Sequence, residues 1–342
     1  MNYLSDKLAN ALRAPALPSY RRSSNLTPSS ASIVIPDNMG GQKAVGACLR
    51  QQYYKITGVD ESSSQVNVDW TLSAIMGDQL HHMIGHLIDT HGFAMGIQKI
   101  TAEHPIYDKT FKLSGRSDLI AWDYNNKEPI GIEVKSIGEY KAKKALEQPL
   151  EEHVLQSIVY LDFYNRNIVD SQKKIKKWYI WYVSRTENWS VKAKPHNSEF
   201  TMLWDFCIEL DQGVPIIRGS GFTQRWEHFN ISKVYERYQL LTDYIKTNTV
   251  PPRDYQIAYP PEKIAGMHKA DLLTRKADKE AVEKWLAKGA PDGKLKVEMG
   301  DGECMFCEFS SLCWEGKSNA EPKKFSNLPK VEQKKTITPD FV

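Results

Sequence analysis

Two short stretches carry residues that could do chemistry together: Gly115-Arg116-Ser117-Asp118 and Ile132-Glu133-Val134-Lys135. On a strand, alternate side chains share a face, so Glu133 and Lys135 project together while Ile132 and Val134 face the opposite layer. If the segment holding Asp118 pairs alongside, both carboxylates and the ammonium converge at one end of a sheet. Asp118 and Glu133 then offer hard oxygen ligands suited to Mg²⁺ or Mn²⁺. A cation there polarises a phosphodiester and acidifies water. Lys135 can position that water or stabilise charge developing on phosphorus. A solitary Glu-x-Lys pair is usually a solvated ion pair. What adds specificity is the Asp ahead of it and the helices on either side.

Those helices carry further candidates. In the first, Gly77, His81, Ile84, Gly85 and Ile88 share one face, so His81 borders the buried side, whereas His82 and His86 meet solvent. In a later helix Gln156 and Tyr160 stand four residues apart and project together. A second constellation lies near the C-terminus: Cys304, Cys307 and Cys313, spaced C-x2-C-x5-C. Three clustered thiolates need one more ligand to close a four-coordinate site, and only Cys48 and Cys207 remain. A triplet completed by a distant cysteine suits an iron–sulfur cubane. Zinc is the lesser alternative, since no second knuckle is present. Cys207, within Leu203-Trp204-Asp205-Phe206-Cys207-Ile208, reads as core.

The elements that must position these residues follow from hydrophobic periodicity. A short helix spans Ala47 to Tyr54, and a longer one runs from Asp69 to Thr90. Segments with strand character follow at Ile106 to Leu113, Ser117 to Trp122 and Ile130 to Ser136, separated by turn residues as in an antiparallel meander. Pro149 opens a helix through Tyr164, and Trp178 to Val183 is a strand. Ile231 to Lys246 is an amphipathic helix ending before Pro251-Pro252, and the charged stretch Ala265 to Lys296 is expected to be helical and solvent-facing. This order predicts an α/β layered fold.

Composition narrows the class. Of 342 residues, 41% are hydrophobic and 25% charged, which fits a globular chain with a sizeable core. A net charge of +3 leaves room for a local basic groove only, and five cysteines are too few for a disulfide framework. There is no apolar leader core or membrane-spanning run, so a cytoplasmic protein without a membrane partner is expected. No phosphate-gripping GxxxxGK[ST] loop is present, which excludes a helicase motor in this polypeptide.

Taken in order, Gly77 to His81, Gly115 to Asp118, Glu133 to Lys135 and Gln156 to Tyr160 resemble the four motifs of the RecB-like branch of the PD-(D/E)XK nucleases. Ser117 stands where proline often precedes the aspartate. The resemblance implies a restriction-endonuclease-like core, a mixed central β-sheet flanked by helices. It implies that His81, Asp118 and Glu133 ligate Mg²⁺ or Mn²⁺ with the Val134 carbonyl, and that Lys135 is catalytic. Gln156 and Tyr160 would support the site and touch DNA. The Cys48-Leu49-Arg50-Gln51-Gln52-Tyr53-Tyr54 segment is similar to the N-terminal cysteine segment of the AddB and CRISPR-adaptation nucleases. By that resemblance Cys48 joins Cys304, Cys307 and Cys313 around a [4Fe-4S] cluster that pins the terminal segments together.

The expected organisation is a flexible basic arm over 1–32, one nuclease domain over 33–316 and a lysine-rich tail over 317–342. Lys173, Lys174, Lys176 and Lys177 before Trp178-Tyr179-Ile180-Trp181-Tyr182, with Arg225-Trp226, could line a groove that tracks a DNA strand. No base-reading signature is present. The family resemblance therefore leans towards a sequence-independent deoxyribonuclease, an exonuclease on DNA ends or single strands in recombination, repair or end processing, with a recombination or helicase partner. A site-specific endonuclease or nickase, or a catalytically silent DNA-binding module, are the alternatives.

Overall fold

The structure is a computed structural model that describes residues 25–37, 39–59, 68–166, 168–185, 202–219, 221–291 and 295–314. Most of the N-terminal arm and all of the C-terminal tail expected from sequence lie outside these residues. The chain divides into two compact units. One comprises residues 1–47 with 64–240, the other 48–63 with 241–342.

The first unit opens before the expected start of structure. Leu26 is buried and bridges Leu113, and two strands follow, β1 (Ser32–Pro36) and β2 (Gln42–Gly46), paired antiparallel from Ser32↔Gly46 to Pro36↔Gln42. Gly46 has φ 89°, and a β-carbon there would stand 2.1 Å from the Ala31 carbonyl oxygen, so glycine is needed at the open end of this hairpin.

After α1 (Leu49–Thr57), which belongs to the second unit, α2 (Val68–Met95) leads into the central sheet. Its strands are β3 (Ile97–Asp108), β4 (Leu113–Asp123) and β5 (Glu128–Ile137). After the helices α3 (Glu139–Ala145) and α4 (Glu151–Arg166) come β6 (Lys177–Ser184), β7 (Leu203–Asp211), β8 (Val214–Gly219) and β9 (Phe222–Arg225). The spatial order equals the chain order, β3 to β9. All neighbours are antiparallel except β5 and β6, whose parallel pairing requires the crossover through α3 and α4. The fold is α/β with a seven-stranded mixed sheet flanked by helices.

Two of the expected strand boundaries move for a visible reason. The segment Ile106 to Leu113 is not one strand: Asp108 Oδ1 accepts the Thr110 N–H at 2.7 Å, and this turn ends β3 and starts β4. Asp123 does the same for Asn125 and Asn126 (2.8 and 3.1 Å), separating β4 from β5.

One face of the sheet is dry. Ile84 and Ile88 of α2 pack with Leu119, Ala121, Ile130, Ile132 and Val134. The alternate residues of β5 turn towards α4, whose Val154 to Leu161 stretch is buried throughout. Gly131 is needed on that face: a β-carbon would come within 2.1 Å of the Trp178 ring, which lies across it and stacks on Tyr160 at 5.5 Å between centroids.

The helix α5 (Ile231–Lys246) straddles the division between the units. In the second unit, α6 (Pro261–Lys269) and α7 (Lys276–Ala287) replace the single charged, solvent-facing stretch expected over Ala265 to Lys296. They bury Ile264, Leu273, Val282 and Val297 together, because each helix is apolar on one side. The short turns α8 (Gly302–Met305) and α9 (Ser310–Cys313) end the described chain. Among the described residues, no helix is long and apolar enough to cross a membrane.

Candidate metal centre and cysteine cage

The site lies where the sheet forks. Pairing of β4 with β5 stops at Leu119↔Ile132, yet β4 continues along β3 to Leu113 and β5 continues along β6 to Ile137. The two strands part immediately beyond that pair, so the next residues, Asp118 and Glu133, stand at the mouth of the opening. A backbone N–H that loses its ladder partner needs another acceptor. Asp118 Oδ2 supplies it, accepting the Val134 N–H at 2.7 Å. Val134 thus stands between the acids, with its side chain in the core below α2.

The helices on either side complete the fork. From α2, His81 Nδ1 approaches Asp118 Oδ1 to 3.6 Å, while His82 and His86 are exposed, as their helical positions require. From α4, Gln156 Oε1 accepts from the Lys135 ammonium at 2.8 Å, and the same ammonium donates to Glu133 Oε1 at 2.7 Å. One turn on, the Tyr160 hydroxyl donates to the Arg116 carbonyl at 2.7 Å. Gln156 therefore holds the β5 prong and Tyr160 the β4 prong, which fixes the gap between the acids. Every residue singled out for this site in the sequence, namely His81, Asp118, Glu133, Val134, Lys135, Gln156 and Tyr160, is brought to the fork.

The electrostatics are those of two buried acids set side by side. Glu133 is 2% exposed, and its Oε2 is buried with no hydrogen-bond partner in the protein. An unmatched buried carboxylate oxygen is costly unless something positive meets it. Burial pushes Glu133 up to about 7, against the pull of Lys135 and with Asp118 adding repulsion. Burial likewise raises Asp118 to about 6, again opposed by Lys135. Two acids that resist ionisation side by side have the donor chemistry of a hard divalent site, so these residues fit Mg²⁺ or Mn²⁺.

Glu103 was not foreseen. It sits on β3, and one ligand atom each from Glu103, His81 and Asp118 lie within 4.8 Å of one another. The signal was strand register: Ala102↔Leu119 and His104↔Ser117 flank Glu103 and Asp118, setting one acid across from the other. Glu103 has φ 49°, a left-handed conformation that glutamate seldom adopts.

The lysines proposed for a DNA groove lie elsewhere. Lys177 pairs in register with Ile130, five residues back along β5 from Lys135, and its ammonium contacts Glu128 at 2.6 Å. At about 3.3 Å per residue that is the far end of the strand. Trp178 and Tyr182 are buried in the core, Arg225 is bound by Asp211 and Glu227, and Trp226 is buried. Lys173, Lys174 and Lys176 are exposed, while Tyr179 and Trp181 are half-buried.

Within the second unit, Cys48, Cys304, Cys307 and Cys313 line one pocket together with Arg50 and Arg253. Cys48 caps the start of α1, whose Leu49 N–H donates to Asp254 Oδ2 at 2.7 Å. At the other end of the chain, Arg253 donates to the Cys313 carbonyl and stacks on Trp314, 3.6 Å from the ring centroid. Glu308 receives Gln51 at 2.9 Å and Lys55 at 2.7 Å, binding α1 to the C-terminal turns. Burial pushes the Cys48 thiol up to about 11 and those of Cys304 and Cys307 to about 12. Among the described residues no three of the four sulfurs lie within 4.8 Å of one another. Four cysteine sulfurs are the donor set of an iron–sulfur cubane or of structural zinc. Cys207 stands apart on β7, beside Tyr179.

A scan against protein-family models finds no match to this chain, and no curated protein matches it either.

Proposed function

We propose that the chain is a divalent-metal-dependent deoxyribonuclease of the RecB-like PD-(D/E)XK kind, with a restriction-endonuclease-like core. The observation that carries the reading is the fork. Asp118 and Glu133 face one another across diverging strands, Glu133 keeps a buried oxygen with no protein partner, and Lys135 is held beside them. When bound, Mg²⁺ or Mn²⁺ would supply Lewis-acid polarisation of the phosphodiester and a nucleophile from water at neutral pH.

The chain's own residues do the rest. His81, Asp118, Glu133 and the Val134 carbonyl would hold the ion. Lys135 already spends two of its three hydrogens on Glu133 and Gln156, so its nitrogen cannot wander, and the third is free for a phosphate oxygen as negative charge develops. Gln156 and Tyr160 keep the prongs at their separation, which preserves the reacting geometry.

The sequence carries no recognition-helix or finger signature, and cleavage is read as independent of sequence. The preferred substrate is DNA ends or single strands, in recombination, repair or end processing, with a helicase or recombination protein as partner. For the four cysteines that line one pocket the reading is a [4Fe-4S] cluster, with zinc the lesser alternative, in a structural role that closes a loop from Cys48 to Cys313 as a cross-link would.

Labelled linear and circular DNA, single- and double-stranded, incubated with the protein and Mn²⁺ tests this. Cleavage of linear forms that disappears in Asp118→Ala is expected. Undiminished cleavage in that variant would reject the site, and cleavage of closed circles would replace an exonuclease with an endonuclease.

A further inference from the structure

We infer that α2 pairs, antiparallel, with α2 of a second copy of this chain, through an apolar stripe that the fold leaves uncovered. The inference stands apart from the nuclease reading, since it uses the outward side of the helix and none of the groups at the fork.

The helix is apolar on two sides. Ile84 and Ile88 are buried against the sheet, with Leu80 packed beside them. Away from that contact, Leu72, Met76, Met83 and Leu87 recur at the spacing i, i+4, i+11 and i+15, which is one helical face. All four are exposed, Met76 by 55% and Met83 by 49%. Gln79 and Thr90 complete the line, so no charged residue interrupts it from Leu72 to Thr90. A surface helix ordinarily turns charge outwards, whereas a continuous exposed apolar stripe marks a contact with another molecule.

Two observations choose that molecule. Over residues 68–95 the chain has aspartates and histidines but neither lysine nor arginine. Nucleic acid and anionic lipid both require basic residues on the surface that meets them, which leaves a protein partner. The stripe also reads the same from either end. Turned about the point between Gln79 and Leu80, Leu72 takes the place of Leu87, and Met76 that of Met83. A two-fold contact demands this self-complementarity, because residue i must meet residue j while j meets i. An antiparallel copy therefore sets leucine on leucine and methionine on methionine at both ends.

Gln79 stands at the crossing point. Its amide both donates and accepts, so it can bond to its own counterpart and fix the register. Unbranched methionines on either side pack without requiring a precise fit. From Leu72 to Leu87 the contact runs for about 24 Å of helix. That is the small end of protein interfaces, and it sets self-association in the micromolar range. His81, which meets Asp118, projects from the opposite side of α2, so pairing leaves the fork open.

Sedimentation equilibrium of the full chain, over a hundredfold range of concentration reaching the high micromolar, tests this. The wild type is expected to pass from one-chain to two-chain mass as concentration rises. Met76→Glu and Met83→Lys, both on exposed side chains, should keep the wild-type melting temperature. Each should weaken self-association by roughly tenfold or more, because a charge then meets a methionine at both ends. Mixed in equal amounts, the two variants should recover the two-chain mass. Position 76 of one then faces position 83 of the other, with opposite charges at one end and methionines at the other. A wild type of one-chain mass at every concentration would overturn the inference, whether the stripe is open or covered by another part of the chain. Self-association that both variants retain would overturn it too. Variants that stay single even when mixed would overturn the antiparallel register and with it the proposal.

Discussion

Replacing Glu133 with glutamine is expected to stabilise the metal-free protein while removing a ligand of the proposed ion site. The side chain is 2% exposed, Oε1 accepts from Lys135 at 2.7 Å and Oε2 has no partner in the protein. Burial raises its carboxyl from 4.5 to about 7, so between those values the folded chain holds a proton that the unfolded chain has released. Stability therefore falls as pH rises through that window, and the penalty is complete above about 7. The displacement corresponds to about 3 kcal/mol, an upper figure. Asp118, raised to about 6, adds in the same direction. Glutamine imitates the protonated acid and keeps an oxygen for Lys135. At pH 8 in EDTA the variant should melt several degrees higher than wild type, at about 2–4 °C per kcal/mol for a unit of this size. Near pH 5 the difference should shrink towards nothing. Mn²⁺ should reverse the order by raising the melting temperature of the wild type more. A variant that melts lower than wild type at pH 8 in EDTA, or by the same margin at both pH values, would refute the reasoning.

Other substitutions separate the roles of the neighbouring groups. Lys135→Met should retain Mn²⁺ binding by calorimetry yet lose cleavage by about a hundredfold or more in single-turnover kinetics, on the order of 3 kcal/mol of transition-state stabilisation. Tyr160→Phe removes the hydrogen bond to the Arg116 carbonyl and should cost about 1 kcal/mol in chemical denaturation. Gly131→Ala drives a methyl group into the Trp178 ring and should destabilise by about 1–3 kcal/mol, with altered near-ultraviolet dichroism as the ring moves. Cys313→Ser should release iron and bleach the visible absorbance of the purified protein, whereas Cys207→Ser should change neither.

The sequence displayed the site because its residues sit in local patterns. Alternation placed Glu133 and Lys135 on one face, and helical spacing paired Gln156 with Tyr160, so their convergence needed only adjacent strands. The helix Ile231–Lys246 was equally plain, with a continuous amphipathic period and a proline stop. Glu103 escaped because its place depends on non-local register across a hairpin, and no spacing along the chain records that. The strands β7 to β9 were missed although Trp204, Phe206 and Ile208 alternate as a half-buried strand does. The lysines before Trp178 show another limit of composition. Their composition resembles a nucleic-acid groove, and only the parallel register of β6 on β5 shows that Lys177 lies beside Ile130 rather than beside Lys135.

Diffraction from crystals grown with Mn²⁺, with anomalous data collected near the manganese edge, addresses the central claim most directly. An anomalous peak between Asp118 and the buried oxygen of Glu133, within about 2.1–2.3 Å of both carboxylates, is the expected result. Crystals saturated with Mn²⁺ that show no peak in the fork, while Glu133 stays buried against Lys135 alone, would contradict it.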